Sequence, residues 1–368
     1  MKRFDSTYSL QEFNIDPDLP LPLPDTERVL FLDIETTGLS KEASKLYLIG
    51  VACVTDDCFK TVQWFADDPR EERLLLEAFV SFMQSFDTIL TFNGDRFDLP
   101  FLKYRAEARG FPISFDSFRS LDIYKELRPL KKLLGLQSLK QREVEGLLGK
   151  KSDDPFTGRD LIHVYYEYVR EPSEEKLKNL LYHNSEDLLG LLKILPALGY
   201  RDIIDIDPVY SDHKINTYRS YDGIEKNELL IELSHSIHIP VAFRSLNNGI
   251  FLYFGGENTL SVRIPLVNAE FKHFFKDYRN YYYLPLEDFC IHKNAASGVP
   301  KENRERAGKE TCYIKKSGLF LQNFPGLSDM TMFKENYTSK EEYLSLEELI
   351  QKKALCTYVK ALIISFIK

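Results

Sequence analysis

The chain has 368 residues, enough for two domains of ordinary size, and its 43% hydrophobic and 28% charged composition reads as globular with a substantial core. A formal charge of −8 argues against a general duplex binder, because that kind of affinity comes from neutralising phosphates. No apolar run approaches the roughly 20 residues of a membrane span, the opening MKRFDSTYSLQEF lacks a signal-peptide core, and five cysteines without a CxxC pair exclude a disulfide framework, so a cytoplasmic protein is expected.

The acidic excess is unevenly placed. Residues 1–200 carry 26 basic and 34 acidic side chains, whereas residues 201–368 carry 22 of each. An acidic cluster that binds metal belongs in the first part.

In chain order, residues 1–27 read as a proline-rich arm, because the run DPDLPLPLP favours extended conformations and cannot hold a helix. From residue 28 to about residue 200 strand and helix alternate. Arg28–Glu35, Leu46–Val54 and Lys60–Ala66 have the apolar texture of buried strands. Leu74, Leu75, Ala78, Phe79, Phe82 and Met83 then form one face of a helix, and Thr88–Phe92 is another strand. The remainder to Leu198 reads as mostly helical, with Ser173 as an N-cap and Glu174 and Glu175 at the positive end of the dipole.

After Tyr200 the texture changes. Residues 201–216 are polar and aperiodic, as in a linker. Glu228–Leu233, Ile237–Phe243, Gly249–Phe254 and Thr259–Pro265, joined by turn signals such as Asn247-Asn248-Gly249, predict an antiparallel meander. Two helices, Ser339–Lys352 and Ala354–Ile367, are predicted to close the chain. The expected fold class is therefore α/β for residues 28–200, with a β-rich α+β domain over residues 217–368.

Three segments carry chemistry. In FLDIETTG, Asp33 and Glu35 lie two apart on a strand and so share a face. Two carboxylates held together repel unless a cation or proton lies between them. Thr36-Thr37-Gly38 follows as a tight turn suited to a sugar hydroxyl or phosphate. In TFNGDRFDLPFL, a strand ends at Asn93-Gly94 and presents Phe97 and Asp98; taken alone, Asp98 reads equally as a helix cap. In YHNSEDLLGL, His183 and Asp187 lie four apart on one helix face, an arrangement shared with ordinary structural ion pairs.

Together, and in this order, Asp33, Glu35, Asp98 and Asp187 resemble the four carboxylates of the DEDD 3′–5′ exonucleases on the ribonuclease-H-like fold, in particular the bacterial YprB-like subgroup. The resemblance covers about residues 28–200, including SLDIYKELRPLKKLLGLQSLK and GRDLIHVYYEYV. It implies a mixed sheet flanked by helices and hydrolysis of nucleotides from a 3′ end. It also implies two divalent cations, Mg²⁺ or Mn²⁺, which suit an all-oxygen ligand set. On this reading Asp33 bridges both ions, Glu35 and Asp187 hold the nucleophile-side ion, and Asp98 holds the other. The family places a tyrosine four residues before the last aspartate or a histidine five before it. Here His183 is four before and Tyr182 five before. Helical geometry sets the position four back over Asp187, so His183 is favoured as the group that assists the attacking water, with Tyr182 the alternative.

Expected substrate contacts are Thr36, Thr37, Asn93 and Phe97, although a phenylalanine in this position is more often core. Asp122 reads as a helix cap, and Lys140 and Arg142 as phosphate contacts or solvated surface; for Asp122 the other reading is a group that supports the site from behind. In the second domain, FKHFFKDYRNYYY interleaves aromatics with Lys272, Lys276 and Arg279, a mixture found in single-strand binding and in amphipathic sheet edges alike. Asp288 and His292 have the spacing of a local helical pair, and His235 and His238 converge poorly as ligands. The partner expected is single-stranded DNA or RNA with a free 3′ end. A structure-specific endonuclease and a non-catalytic nucleic-acid-binding adaptor are the competing functions.

Overall fold

The computed structural model describes residues 1–13, 28–55, 58–150, 155–256 and 258–367. These fall into two compact units, residues 1–131 with 136–201, and residues 132–135 with 202–368.

The strands of the first unit are β1 (Lys2–Ser9), β2 (Val29–Thr36), β3 (Leu46–Thr55), β4 (Cys58–Phe65), β5 (Thr88–Thr91) and β6 (Arg119–Asp122). They form one mixed sheet in the order β1-β4-β3-β2-β5-β6, antiparallel from β1 to β2 and parallel from β2 to β6. The helices are α1 (Glu72–Met83), α2 (Asp98–Ala108), α3 (Ile123–Leu127), α4 (Gln141–Leu147), α5 (Gly158–Arg170) and α6 (Glu174–Ile194).

Strand β2 is buried at nearly every position because both of its faces are covered. Leu30, Leu32 and Ile34 pack on one side with Leu75, Leu76 and Phe79 of α1 and Phe101 and Leu102 of α2. Across the sheet, Tyr47, Leu48 and Phe65 pack with Leu161, Tyr165 and Tyr168 of α5 and Leu180 of α6. Phe31, Asp33 and Glu35 alternate with the first set and so face the α6 side. At the edge of the core, fully buried Glu72 accepts from Arg105 (2.6 and 2.7 Å), Arg109 and the Leu46 amide (3.0 Å). Arg105 also donates to the Lys41 carbonyl, which ties the loop after β2 to both helices.

The amino-terminal segment departs from the expected arm. Lys2–Ser9 pairs along the whole of β4 as an edge strand, and residues 14–27, which hold the proline run, lie outside the described residues. An edge strand half in solvent has no need of apolar alternation, so KRFDSTYS gives little strand signal. Strand β6 escaped notice for a related reason, since four residues are too short to show a period. Ser173 caps α6 by accepting from the Lys176 amide, as its position indicates.

The second unit contains β7 (Val209–Arg219), β8 (Glu225–Ser234), β9 (Phe243–Asn247), β10 (Ile250–Phe254), β11 (Thr259–Phe274), β12 (Tyr281–Leu284), β13 (Phe289–His292), β14 (Glu305–Arg306), β15 (Tyr313–Gln322), β16 (Met332–Phe333) and β17 (Tyr343–Ser345). Helices α7 (Leu346–Gln351) and α8 (Leu355–Phe366) close the described chain. The first half of β11 pairs with β8 and β10 and its second half with β15. A separate small sheet has the order β13-β12-β14.

Three expectations are corrected here. The stretch read as a linker ends in β7, a mostly exposed strand paired with β8, whose exposure removes the alternation that would have marked it. The strand expected over Ile237–Phe243 begins only at Phe243, because Pro240 has no amide to offer a ladder. The helix expected from Ser339 begins at Leu346, since Tyr343–Ser345 is drawn into pairing with β15.

Candidate metal centre

Strand β2 delivers the first two carboxylates. Asp33 and Glu35 project from the same face, and a register shift between Glu35 and Thr36 ends the regular pairing with β3. Glu35 is buried, its Oε2 accepting from the Tyr47 hydroxyl at 3.4 Å. Asp98 arrives from the first turn of α2. Its carboxylate does not cap that helix but accepts the Ile34 amide of β2 at 3.2 Å. Thus α2 is fastened to the strand beside it by the very group expected as a ligand.

Helix α6 supplies the rest. His183 is buried, with Nε2 3.7 Å from Glu35 Oε1 and 3.5 Å from Asp187 Oδ2. Donor atoms of Glu35, His183 and Asp187 all lie within 4.8 Å of one another. The four-residue spacing therefore does place His183 over Asp187, while Tyr182 is exposed. Asp33 accepts from Asn184, the residue after His183, and Asp98 accepts the Ile34 amide that lies between Asp33 and Glu35 in the strand.

Burial and mutual repulsion raise these carboxyl groups. Burial, then the charges of Asp187, Glu35 and Asp98, hold the Asp33 carboxyl well above its ordinary range. Burial also pushes Glu35 up to about 8, with Asp187 and Asp98 adding to it and His183 and Tyr47 opposing. Asp98 is pushed up to about 7 by burial and by Asp122 and Asp187, against the Ile34 amide. Four carboxylates from three distant segments thus repel one another in a partly dry pocket. That donor set, oxygen-rich with one imidazole and no thiolate, fits hard divalent cations.

Residues 30–198 match the RNase_H superfamily. Over these residues the chain is similar to RNase H superfamily domains. The chain is 29% identical over 169 residues to the uncharacterized protein YprB of Bacillus subtilis (strain 168), a match spanning 45% of this chain and 40% of that relative. A family B DNA polymerase of the hyperthermophilic archaeon Pyrobaculum calidifontis overlays with a TM-score of 0.39 at 22% identity, over 50% of this chain and 26% of the polymerase. The mixed sheet, flanked by helices, has the ribonuclease-H-like character that the resemblance implied, and the second unit is β-rich.

Two residues that sequence reasoning missed hold Asp33 in place. The fully buried Asn184 donates to Asp33 Oδ2 at 2.7 Å, and its own Oδ1 accepts from Gln63 Nε2 at 2.8 Å. Gln63 also donates to the Leu181 carbonyl. Asn184 follows His183 directly in sequence, and an uncharged polar residue on the buried side of a helix beside two titratable groups was the available signal. Asp122 fills both of the roles open to it. It accepts from Lys125 N at the start of α3 and also from the Asn93 amide (2.7 Å) and the Asp95 amide (3.2 Å). This fixes Asn93 in a left-handed conformation with φ of 66°.

The expected substrate contacts are distributed around the loop after β2 and the start of α2. Thr36 Oγ1 donates to the Gly38 carbonyl, and Thr37 Oγ1 accepts the Lys45 amide, so both hydroxyls shape the loop. Phe97 packs on the core beneath α1 and α2, with its ring 5.6 Å from that of Phe101, and also borders a surface cavity of about 250 Å³ with Lys41 and Arg96. Arg142 donates to the Phe156 carbonyl, and Lys140 precedes α4 at the surface.

In the second unit, Asp288 and His292 form no helical pair. Asp288 sits in a turn with φ of 55°, where its carboxylate takes Tyr283, Tyr313 and Lys315, while His292 accepts the Asn294 amide. Local spacing misled because the segment is a hairpin. His235 Nδ1 lies 3.1 Å from the Ile237 carbonyl. Among the described residues no helix is long and apolar enough to cross a membrane, and all five cysteines are free thiols.

Proposed function

We propose that the RNase H superfamily domain is a metal-dependent 3′–5′ exonuclease that hydrolyses phosphodiester bonds of single-stranded DNA or RNA with two divalent cations, Mg²⁺ or Mn²⁺. The observation that carries this reading is the meeting of Asp33 and Glu35 with Asp98 and with Asp187 and His183. A pocket of mutually repelling buried carboxylates is costly to a fold unless a cation or protons occupy it, and the protons leave as pH rises.

Asp33, Glu35, Asp98 and Asp187 would hold the cations. Bound there, two such ions activate water and neutralise charge on the attacking and departing oxygens. His183 Nε2, within reach of both Glu35 and Asp187, accepts the proton of the attacking water. Asn184 keeps the Asp33 carboxylate from rotating, and Tyr47 does the same for Glu35. The Thr36 hydroxyl, already donating to Gly38, retains lone pairs for a sugar hydroxyl, and the Thr37 hydroxyl, already accepting, retains its proton for a sugar or phosphate oxygen. Asn93 and the exposed part of Phe97 complete the contacts to the terminal nucleotide. A frayed single-stranded end enters such a pocket without the cost of unpairing.

The test incubates the full chain with 5′-labelled single-stranded DNA and RNA in Mn²⁺, beside an Asp33→Asn control. A ladder shortened from the 3′ end, absent in the control, is the expected result. Internal cuts would favour an endonuclease on the same fold, and binding without any cleavage would favour an adaptor.

A further inference from the structure

The small sheet of the second unit has two unlike faces. Pairing sets Tyr282 opposite Ile291 of β13 and opposite Arg306 of β14, so these three side chains share one face. Tyr281 and Tyr283, one position to either side, project the other way and pack on Cys290, Ala307 and Cys312. One face is therefore closed, and Tyr282 stands half-exposed on the other. The Arg304 guanidinium lies 4.8 Å from the centre of the Tyr282 ring and Lys293 Nζ lies 5.8 Å from it. A 2.6 Å bond from Arg304 to the Ala296 carbonyl anchors that guanidinium.

Some cations elsewhere in this unit are matched with acids, among them Lys315 with Asp288, Lys316 with Glu347 and Lys334 with Glu342. Among the described residues, Lys293, Arg304 and Arg306 have no carboxylate at ion-pair distance. Three uncompensated cations around one aromatic ring suit a polyanion that also carries flat, exposed rings. Phosphates meet the cations, and a base stacks on the tyrosine and guanidinium planes. A duplex keeps its bases inside and cannot use the ring.

We propose that this face is a binding platform for single-stranded nucleic acid, with Tyr282 as its stacking residue and Lys293, Arg304 and Arg306 as its phosphate contacts. The proposal rests on the nuclease reading only for its choice of nucleic acid over other polyanions. It gives the second unit the task of retaining the strand whose end the first unit would cleave.

The experiment uses the full chain carrying Asp33→Asn, in EDTA, and follows a fluorescein-labelled oligothymidylate by anisotropy. Tyr282→Ala is expected to weaken binding about tenfold, as loss of one stacked base does, whereas Tyr282→Phe keeps the ring and the affinity. Replacing Arg304 and Arg306 together by alanine is expected to lower the slope of log affinity against log salt by about 1.4, two cations at roughly 0.7 each on a single strand. Unchanged affinity in Tyr282→Ala together with an unchanged slope in the arginine variant would overturn the platform. So would equal competition by polyglutamate, which has charge but no bases. Should Tyr282→Ala fail to fold, the arginine variant carries the test. A parent chain that binds through Tyr282 but never cleaves leaves the platform standing and removes the nuclease reading; cleavage with Tyr282 variants binding normally does the reverse.

Discussion

The Asn184 carboxamide donates a 2.7 Å hydrogen bond to the Asp33 carboxylate across 151 residues of sequence. It locks α6 directly to the first acid of β2, and the same amide nitrogen lies 3.4 Å from the Asp33 carbonyl. Gln63 of β4 holds the other end of the amide, so three elements meet at one side chain. Replacing Asn184 by alanine leaves Gln63 with a lost partner and Asp33 free to turn. Nuclease turnover is expected to fall about 10- to 100-fold, the usual effect of removing a group that orients a metal ligand. Rate measurements across a Mn²⁺ titration check this, and an unchanged rate at all Mn²⁺ concentrations would remove Asn184 from the site.

Gly50 of β3 tests the same junction from the other side. A Cβ there would lie 1.9 Å from Asn184 Oδ1, closer than any packing tolerates. Gly50→Ala is therefore expected to lower both the thermal midpoint and the rate, because Asn184 must leave its place between Gln63 and Asp33. Thermal unfolding and a single-point rate suffice; a variant as stable and active as the parent contradicts this geometry.

His183 and Tyr182 separate by substitution. His183→Ala is expected to cost about 10²- to 10⁴-fold in turnover, the range for loss of a general base, with the fold retained. Tyr182→Phe, at an exposed position, is expected to keep the rate within about twofold, since surface changes away from a site have small effects. The opposite pattern would move the role to Tyr182.

The raised carboxyl groups make stability depend on pH in a defined sense. Glu35 at about 8 and Asp98 at about 7 hold protons in the folded protein that the unfolded chain, near the ordinary carboxylate range, has already released. Their effect on stability is most favourable below about pH 4, the unfolded carboxylate range, and is lost as pH rises through 7 and then 8. In EDTA the thermal midpoint should therefore fall between pH 6 and pH 8.5. Mn²⁺ should offset that fall, and its stabilisation should grow with pH. Midpoints that stay level in EDTA, or that gain nothing from Mn²⁺ at high pH, contradict it.

Glu72 tests the scaffold rather than the chemistry. Burial alone would push its carboxyl up, but Arg105, the Leu46 amide and Arg109 hold it below the ordinary value. Glu72→Gln strands the buried Arg105 guanidinium, a change expected to cost about 3–5 kcal/mol in chemical unfolding. The loop containing Thr36 and Thr37 should loosen with it, because Arg105 also holds the Lys41 carbonyl.

Periodicity made the central strands and long helices legible. β2, β3 and β4 are buried on both faces and α1 buries one side, so their apolar residues follow the period of the element. Edge elements were not legible: β1 and β7 are paired along their length yet mostly exposed, and pairing through backbone groups asks nothing of the side chains. The residues 339–345 show a further case, where a neighbouring strand outbids a local helical preference.

At the candidate site, the sequence by itself determined which faces carry acid: the two-residue spacing of Asp33 and Glu35 and the four-residue spacing of His183 and Asp187 follow from strand and helix geometry alone. Only the tertiary structure decided that these faces meet, that Asp98 spends a lone pair on the Ile34 amide, and that Asn184, Gln63 and Asp122 steady the acids and the adjoining turn. Local spacing is a property of one element, whereas a hydrogen bond between residues 151 positions apart exists only once packing has brought two elements together.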